Sequence, residues 1–307
     1  MAIVAEPVSG RVTGAEAAGS GPRAHRRSFL GSVVSGRSRP NVIGGVLALV
    51  WLVVVAIPIF MIIKYSFEPQ GQYLSGGPLS LPTPLVGGNY SYMFHAGFGR
   101  YFLNSVIVTV GTVVLVVLFA LPAAYGIVRS RSRFVGRTFR LFLFGLAIPA
   151  QATIIPVYLI IVKANLYDTL YAVILPTAAF GLPLSILVLV GALRDVPLET
   201  YEAMSLDGAT ARRILFSLVI PYSRTAIITV VIFSALGGWN GFIFPLILTQ
   251  SASDRVLPLA LYSFQGQYTT NVPGLMAAVT LSAVPVFLLY LFGRRWLISG
   301  FVGLGGR

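Results

Sequence analysis

The residues best able to do chemistry in this sequence are four carboxylates within a window of thirteen residues: Asp195, Glu199, Glu202 and Asp207. They are four of only nine acidic residues in a chain of 307. Carboxylates concentrated in this way attract basic groups on a partner protein. The alternative interpretation is a solvated linker whose charges merely keep it soluble. The window therefore suggests either a docking element or a linker.

The sequence lacks the groups that most catalytic and metal chemistry needs. It contains no cysteine, which excludes disulfides, thiolate metal sites and cysteine nucleophiles. Its two histidines, His25 and His95, have no partners at metal-ligand spacing, so we predict that both are surface side chains. No G-x-x-x-x-G-K-[ST] phosphate loop is present. We expect no catalytic residue, metal site or ATP site in this chain.

Long apolar segments dominate the chain. It is 56% hydrophobic and only 10% charged, with a mean hydropathy of +0.84, whereas soluble domains carry about 25% charged residues. A helix of about 20 apolar residues spans a hydrocarbon core of roughly 30 Å. Six segments without Lys, Arg, Asp or Glu meet that length: 42–63, 102–128, 141–162, 172–193, 225–248 and 274–292. We predict an all-α polytopic membrane protein with six transmembrane helices.

The distribution of basic residues predicts the orientation in the membrane. With six spans, 18 of the 22 basic residues fall on the side of the two termini, and positive residues stay in the cytoplasm. We therefore expect cytoplasmic tails at 1–41, which is Gly-, Ser- and Arg-rich and predicted disordered, and at 299–307, and a cytoplasmic loop at 194–222. The net charge of +13 does not indicate nucleic acid binding, because the basic residues form no continuous face.

The cytoplasmic loop contains the signals of two short helices. Pro197 suits a first helical turn, Gly208 suits a left-handed helix end, and Thr210 suits an N-cap before "ARRILFSLVI". This pattern predicts a helix, a sharp glycine turn and a second helix that ends at Pro221. Residues at helical spacing give the first helix a partly apolar side, as expected for a docking element: Leu198, Tyr201, Ser205 and Leu206.

Six residues of this loop match a known signature: Glu202, Ala203, Gly208, Leu218, Ile220 and Pro221. They resemble the Glu-Ala-Ala, three residues, Gly, nine residues, Ile-x-Leu-Pro pattern of inner-membrane permease subunits of binding-protein-dependent ABC importers. Met204 replaces the usual alanine, and Leu218 and Ile220 exchange the usual aliphatic residues. The match lies between the fourth and fifth predicted spans, which is where the family places it.

Further segments resemble the maltose-type subgroup, which imports carbohydrates: "FLNSVIVT" at 102–109, "AAYGIVRSRSRF" at 123–134, "GGWNGFIFPLIL" at 237–248 and "RRWLISGFVGLGG" near the end. The C-terminal "GLGGR" departs from the Ala-Val-Lys-Gly-like ending common in that subgroup. The resemblance thus covers roughly residues 90 to 306 and implies the type I importer permease fold.

The resemblance implies that the loop is a coupling helix seated in a groove of a separate ATPase. Glu202 would then make a charged contact to that ATPase, and Gly208 would supply the turn. The implied coupling residues are Glu199, Tyr201, Glu202, Ala203, Met204, Leu206, Asp207, Gly208 and Ala209. The implied partners are a second homologous permease, two ATPase subunits that hold ATP and magnesium, an extracytoplasmic binding protein and a carbohydrate. The implied location is a bacterial inner membrane.

Polar residues in or near the spans are candidates for the transport pathway, because a polar group at that depth should face a cavity. These are Asn104, Gln151, Trp239 and Asn240, with helix packing as the alternative. A loop at 249–273 is predicted to be external, and its aromatic and amide residues are candidates for binding-protein contact: Tyr262, Phe264, Gln265, Gln267 and Tyr268. Other functions left open are import of a non-sugar solute, secondary transport and membrane enzyme activity. No intramembrane charge supports ion coupling.

Overall fold

The computed structural model describes residues 42–77, 80–263 and 271–305, and within these ranges it forms helices and no strands. It divides into two units, residues 1–52 and 53–307. The first unit is described only over 42–52, and all sites discussed below lie in the second. The α-helices are α1 Val42–Ser66, α2 Gln70–Ser75, α3 Gly88–His95, α4 Phe98–Arg129, α5 Arg133–Phe144, α6 Ile154–Lys163, α7 Leu170–Arg194, α8 Leu198–Leu206, α9 Ala211–Ile214, α10 Ile220–Tyr222, α11 Arg224–Asn240, α12 Ile243–Leu248, α13 Leu257–Ser263 and α14 Val272–Gly305. Two 3₁₀ turns, Gly145–Ala147 and Ala150–Thr153, and a π-helical turn, Leu215–Val219, connect some of them.

The membrane-spanning class is confirmed. Four described helices are long and apolar enough to cross a membrane: Val42–Ser66, Phe98–Arg129, Leu170–Arg194 and Val272–Arg294. The number rises to six if each of two bent helix pairs is one span. The first pair contains the third predicted span, 141–162, and the second overlaps the fifth, 225–248, only over residues 225–240.

The third and fifth predicted spans are not straight helices. In the third, the helical pieces on either side of Ile148–Pro149 are bent by 100°. Proline has no N–H to donate and restricts the residue before it, which explains a break at this point. In the fifth, α11 ends at Asn240 and the helix resumes only at Ile243. The chain is also bent by 80° between Ala211–Tyr222 and Arg224–Asn240.

The core of the second unit lies around α4, which packs against α7 and α11. A Cβ atom added to Gly238 would lie 2.9 Å from the Cα atom of Thr109, so a side chain there would force α11 away from α4. Within lipid, such close packing rather than water exclusion holds helices together. The buried cluster at this junction includes Val116, Ala120, Ile186, Leu189, Leu193 and Val230.

Large apolar side chains cover the outside of the helices. Leu118 and Phe119 on α4 are 59% and 58% exposed, and Trp51 on α1 is 69% exposed. In water such surfaces would be an aggregation hazard, whereas in a bilayer they contact lipid chains. The exposed apolar surface thus agrees with the membrane assignment drawn from the composition.

Candidate functional site

The first helix of the 194–222 loop, α8, has both of the predicted ends. Pro197 precedes its first residue, and Glu199 lies in its first turn, where a carboxylate is favourable against the helix dipole. At the other end Gly208 has φ +74°. The Ala209 N–H donates to the Met204 carbonyl at 2.9 Å and the Gly208 N–H to the Ser205 carbonyl at 3.1 Å. These two bonds form a Schellman motif, which confirms the predicted left-handed turn.

The second helix begins as predicted and then departs from a regular α-helix. Thr210 caps it, since its Oγ1 accepts a hydrogen bond from the Arg213 N–H at 3.3 Å. After Ile214 the chain makes a π-helical turn through Leu215–Val219 before α10 ends at Tyr222. Such turns are rare and often mark functional positions. The Tyr222 hydroxyl donates to the Asp195 carbonyl at 3.2 Å, which ties the end of this segment to the end of α7.

The nine residues assigned to coupling separate into an outward and an inward set. Six are exposed: Glu199, Glu202, Ala203, Leu206, Asp207 and Gly208. Leu206 is 88% exposed although it is large and apolar, while Tyr201 is 1% exposed. Met204 and Ala209 pack partly buried against the core cluster. The predicted single apolar side of α8 is therefore split, with Leu198 and Leu206 exposed and only Tyr201 buried.

Tyr201 joins α8 to the end of α4. Its ring centroid lies 6.4 Å from that of Tyr125, and the guanidinium carbon of Arg129 lies 5.0 Å from its ring centroid. Burial raises the pKa of Tyr201 above its ordinary value, Tyr125 adds to the rise, and Arg129 partly offsets it. The hydroxyl of Tyr201 has no hydrogen-bond partner among the described residues. Tyr201 thus connects α8 to the membrane helices, and its side chain is not part of the exposed surface.

Tyr125 and Arg129 were not singled out by the sequence reasoning. Both lie in "AAYGIVRSRSRF", one of the segments that resemble the maltose-type subgroup. A tyrosine and an arginine four positions apart on a helix share one face, so the spacing itself was a usable signal. The identity of their partner, Tyr201, is not readable from the spacing, because Tyr201 lies 76 positions after Tyr125 and 72 after Arg129.

The structure does not bring the four pathway candidates together. Asn104 is 6% exposed, and its Nδ2 donates to the carbonyls of Ser253 and Arg255 at 2.8 and 2.9 Å, so it holds this loop. Trp239 is 7% exposed and donates from Nε1 to the Ser282 carbonyl at 3.2 Å. It borders a cleft together with Asn240, which is exposed. Gln151 is exposed in a 3₁₀ turn.

Of the residues considered for binding-protein contact, only Tyr262 is described. It lies near the end of α13, is 62% exposed, and packs edge-on against Phe242 with ring centroids 6.3 Å apart. Phe264, Gln265, Gln267 and Tyr268 lie outside the described residues. The exposure of Tyr262 leaves it available to a partner.

Known proteins share this fold and this sequence pattern. Residues 116–301 match the family described as binding-protein-dependent transport system inner membrane component. A putative ABC transporter permease of Caldicellulosiruptor is 36% identical over 82% of this chain and 91% of its own length. The diacetylchitobiose uptake system permease protein NgcG of Streptomyces coelicolor is 36% identical over 84% of this chain and 86% of its own length.

A solved structure agrees at the level of the fold. A chain of a bacterial ABC transporter involved in the import of the acidic polysaccharide alginate superposes with a TM-score of 0.71 at 22% identity. The match covers 84% of this chain and 98% of that chain. The fold is therefore that of an ABC importer permease. The chain belongs to the binding-protein-dependent transport system inner membrane component family, and it is a multi-pass protein of the bacterial inner membrane.

Proposed function

We propose that this protein is the permease subunit of an ATP-driven carbohydrate importer and forms half of its translocation pathway. Family membership supports the transport role. The Streptomyces relative belongs to a diacetylchitobiose uptake system, and another relative, from Bacillus subtilis, is a melibiose, raffinose and stachyose import permease. These relatives support a neutral di- or oligosaccharide as the substrate class.

The proposal that this chain couples to an ATPase rests on the exposed surface of α8. Leu206 presents an apolar side chain at 88% exposure on a segment outside the spans, with Glu202 and Asp207 exposed beside it. An exposed apolar residue surrounded by charge has the composition of a protein-protein contact: the apolar group supplies affinity, and the charges supply orientation. Behind it, Tyr201 transmits movement of α8 to α4.

The proposed assembly contains this chain, a second homologous permease, two ATPase subunits and an extracytoplasmic binding protein. ATP and magnesium bind the ATPase subunits in this scheme, and this chain performs no chemistry of its own. Closure of the ATPase pair would displace α8, and through Tyr201 and the α7–α8 junction it would shift α4 and α7.

The test is uptake by proteoliposomes that contain this chain together with the permease and ATPase that co-purify with it and the cognate binding protein. We expect uptake of a neutral oligosaccharide to require ATP inside the vesicles and to be unaffected by ionophores. We expect Glu202→Lys and Gly208→Val to lose most of the uptake while the chain remains in the membrane. Uptake driven by an ion gradient without ATP would instead identify a secondary transporter, and normal uptake by both variants would refute coupling through α8.

A further inference from the structure

A cleft of about 350 Å³ lies among α4, α7, α11 and α12, away from α8 and from the residues that hold the loops. Its wall combines four hydroxyl side chains with four aromatic rings. The hydroxyls are Thr112, Thr177, Ser185 and Ser234, and the rings are Phe180, Phe233, Phe242 and Phe244. None of the four pathway candidates from the sequence lines it.

Two of the four hydroxyls already have partners within their own helix. Thr177 donates to the Val173 carbonyl at 2.7 Å and Ser185 to the Gly181 carbonyl at 2.8 Å. This is the usual way in which Ser and Thr are accommodated in apolar helices. Their bonds leave oxygen lone pairs that can still accept a hydrogen bond from a molecule in the cleft.

The other two hydroxyls have no partner among the described residues. Thr112 is 1% exposed and Ser234 is 6% exposed, and the side-chain oxygen of each lacks a hydrogen bond. A buried hydroxyl without a partner destabilises a fold, and these two are on different helices that meet at the same cleft. Their partner is therefore expected to be a molecule inside the cleft.

The helix break between α11 and α12 forms part of the same wall. Gly241 and Phe242 line the cleft in non-helical conformation. Irregular backbone at membrane depth is tolerated where it lines a cavity that holds water or solute. The break in the fifth predicted span thus lies at the cleft wall, where its backbone N–H and C=O groups could bind a solute.

The lining residues include no Lys, Arg, His, Asp or Glu. A charged solute would lose hydration there without gaining an opposite charge from this chain. A neutral polyhydroxylated solute would instead exchange water for the hydroxyls and place its apolar ring faces against the phenylalanines. The alginate transporter with the similar fold imports an acidic polysaccharide, so the fold does not itself set the charge of the solute.

We propose that this cleft is the surface over which a neutral carbohydrate crosses the subunit, with Thr112 and Ser234 as its hydrogen-bond donors and acceptors. The assignment rests on the proposed function, since it names the solute contacts of the same transporter. It also replaces Asn104 and Gln151 as polar groups of the pathway.

The absence of native cysteine makes the proposal testable by single-cysteine labelling. In the assembled transporter, Thr112→Cys and Ser234→Cys should react with a charged, water-soluble methanethiosulfonate reagent, scored as the intact mass of this chain. Thr109→Cys is the matched control, because Thr109 lies on the same helix and also lacks a hydrogen-bond partner but does not line this cleft. We expect the two cleft variants to react at least tenfold faster than the control.

Protection by solute separates this proposal from the proposed function. During ATP-driven turnover, saturating diacetylchitobiose, melibiose or raffinose, whichever the wild type imports, should slow labelling of both cleft variants at least threefold, and digalacturonate should not. Equal labelling of control and cleft variants, or labelling unaffected by an imported sugar, overturns the cleft assignment while leaving the importer function standing. Failure of the wild type to import any neutral sugar overturns the proposed function, and the carbohydrate assignment with it.

Discussion

At the scale of single residues, the candidate coupling site depends on two positions with opposite demands. Gly208 is exposed and constrained only by its backbone, since φ is +74° and a Cβ atom there would meet nothing within 4 Å. Tyr201 is constrained by its packing, with Tyr125 and Arg129 beside its ring. The first needs a residue that tolerates left-handed backbone, and the second needs an aromatic ring.

Replacing Gly208 by Val or by Asn separates backbone conformation from side-chain size. Asn adopts left-handed backbone readily, whereas a β-branched residue does so at a cost of about 1–2 kcal/mol or more. The measurement is the sugar-stimulated ATPase activity of the assembled transporter. We expect the transporter with Gly208→Asn to retain most of this activity and the transporter with Gly208→Val to lose at least three quarters of it. Equal activity of the two variants would show that the left-handed turn is not required.

Substitution of Tyr201 tests its role as a packed ring. Tyr201→Ala should lower the free energy of unfolding by about 3–5 kcal/mol, as is usual when a large buried aromatic side chain is removed. Tyr201→Phe should leave it unchanged or higher, because the hydroxyl has no partner among the described residues. Thermal unfolding of the purified chain in detergent measures both. A large decrease in the free energy of unfolding of Tyr201→Phe would contradict this role.

At the scale of elements, two loops between helices are joined by Asp168. This residue lies between α6 and α7, and its carboxylate accepts hydrogen bonds from the Gln250 N–H at 2.7 Å, the Ser251 N–H at 2.9 Å and the Ser251 hydroxyl. Its own N–H donates to the Leu248 carbonyl at 2.9 Å. Asp168 thus holds the α6–α7 turn against the end of α12.

The Asp168 contact should depend on pH. The Ser251 hydroxyl, followed by the N–H groups of Ser251 and Gln250, lowers the pKa of Asp168 below its ordinary value of 3.8. A lowered pKa in the folded state means that the stabilisation is complete above the unfolded-state pKa and is lost as pH falls through the folded-state pKa. We expect the melting temperature of the wild type to fall below about pH 4.

Asp168→Asn is the matched variant for this titration, because Asn tolerates the left-handed φ of 61° and keeps one acceptor oxygen. Its melting temperature should be lower than that of the wild type at neutral pH, and the difference in melting temperature between the two proteins should shrink below pH 4. A constant difference across that range would mean that ionisation of Asp168 does not contribute.

At the scale of the whole molecule, the orientation in the membrane remains a prediction from charge. Arg131 and Lys163 are both exposed, one before and one after the third span. In spheroplasts, an impermeant maleimide should label Lys163→Cys at once and Arg131→Cys only after the membrane is opened. The reverse pattern would place the termini, and α8 with them, outside the cell.

The sequence by itself determined the membrane class, the apolar segments able to span a bilayer and the helix–turn–helix form of the 194–222 loop. These follow from local properties: apolar length, the glycine that ends α8 and the threonine that caps α9. Only the tertiary structure decided that Tyr201 faces inward onto Tyr125 and Arg129, that Asn104 holds a loop, and that Thr112 and Ser234 meet at one cleft. Each of these depends on contacts between distant helices, and the rotation of a helix among its neighbours is set by packing that no single segment encodes.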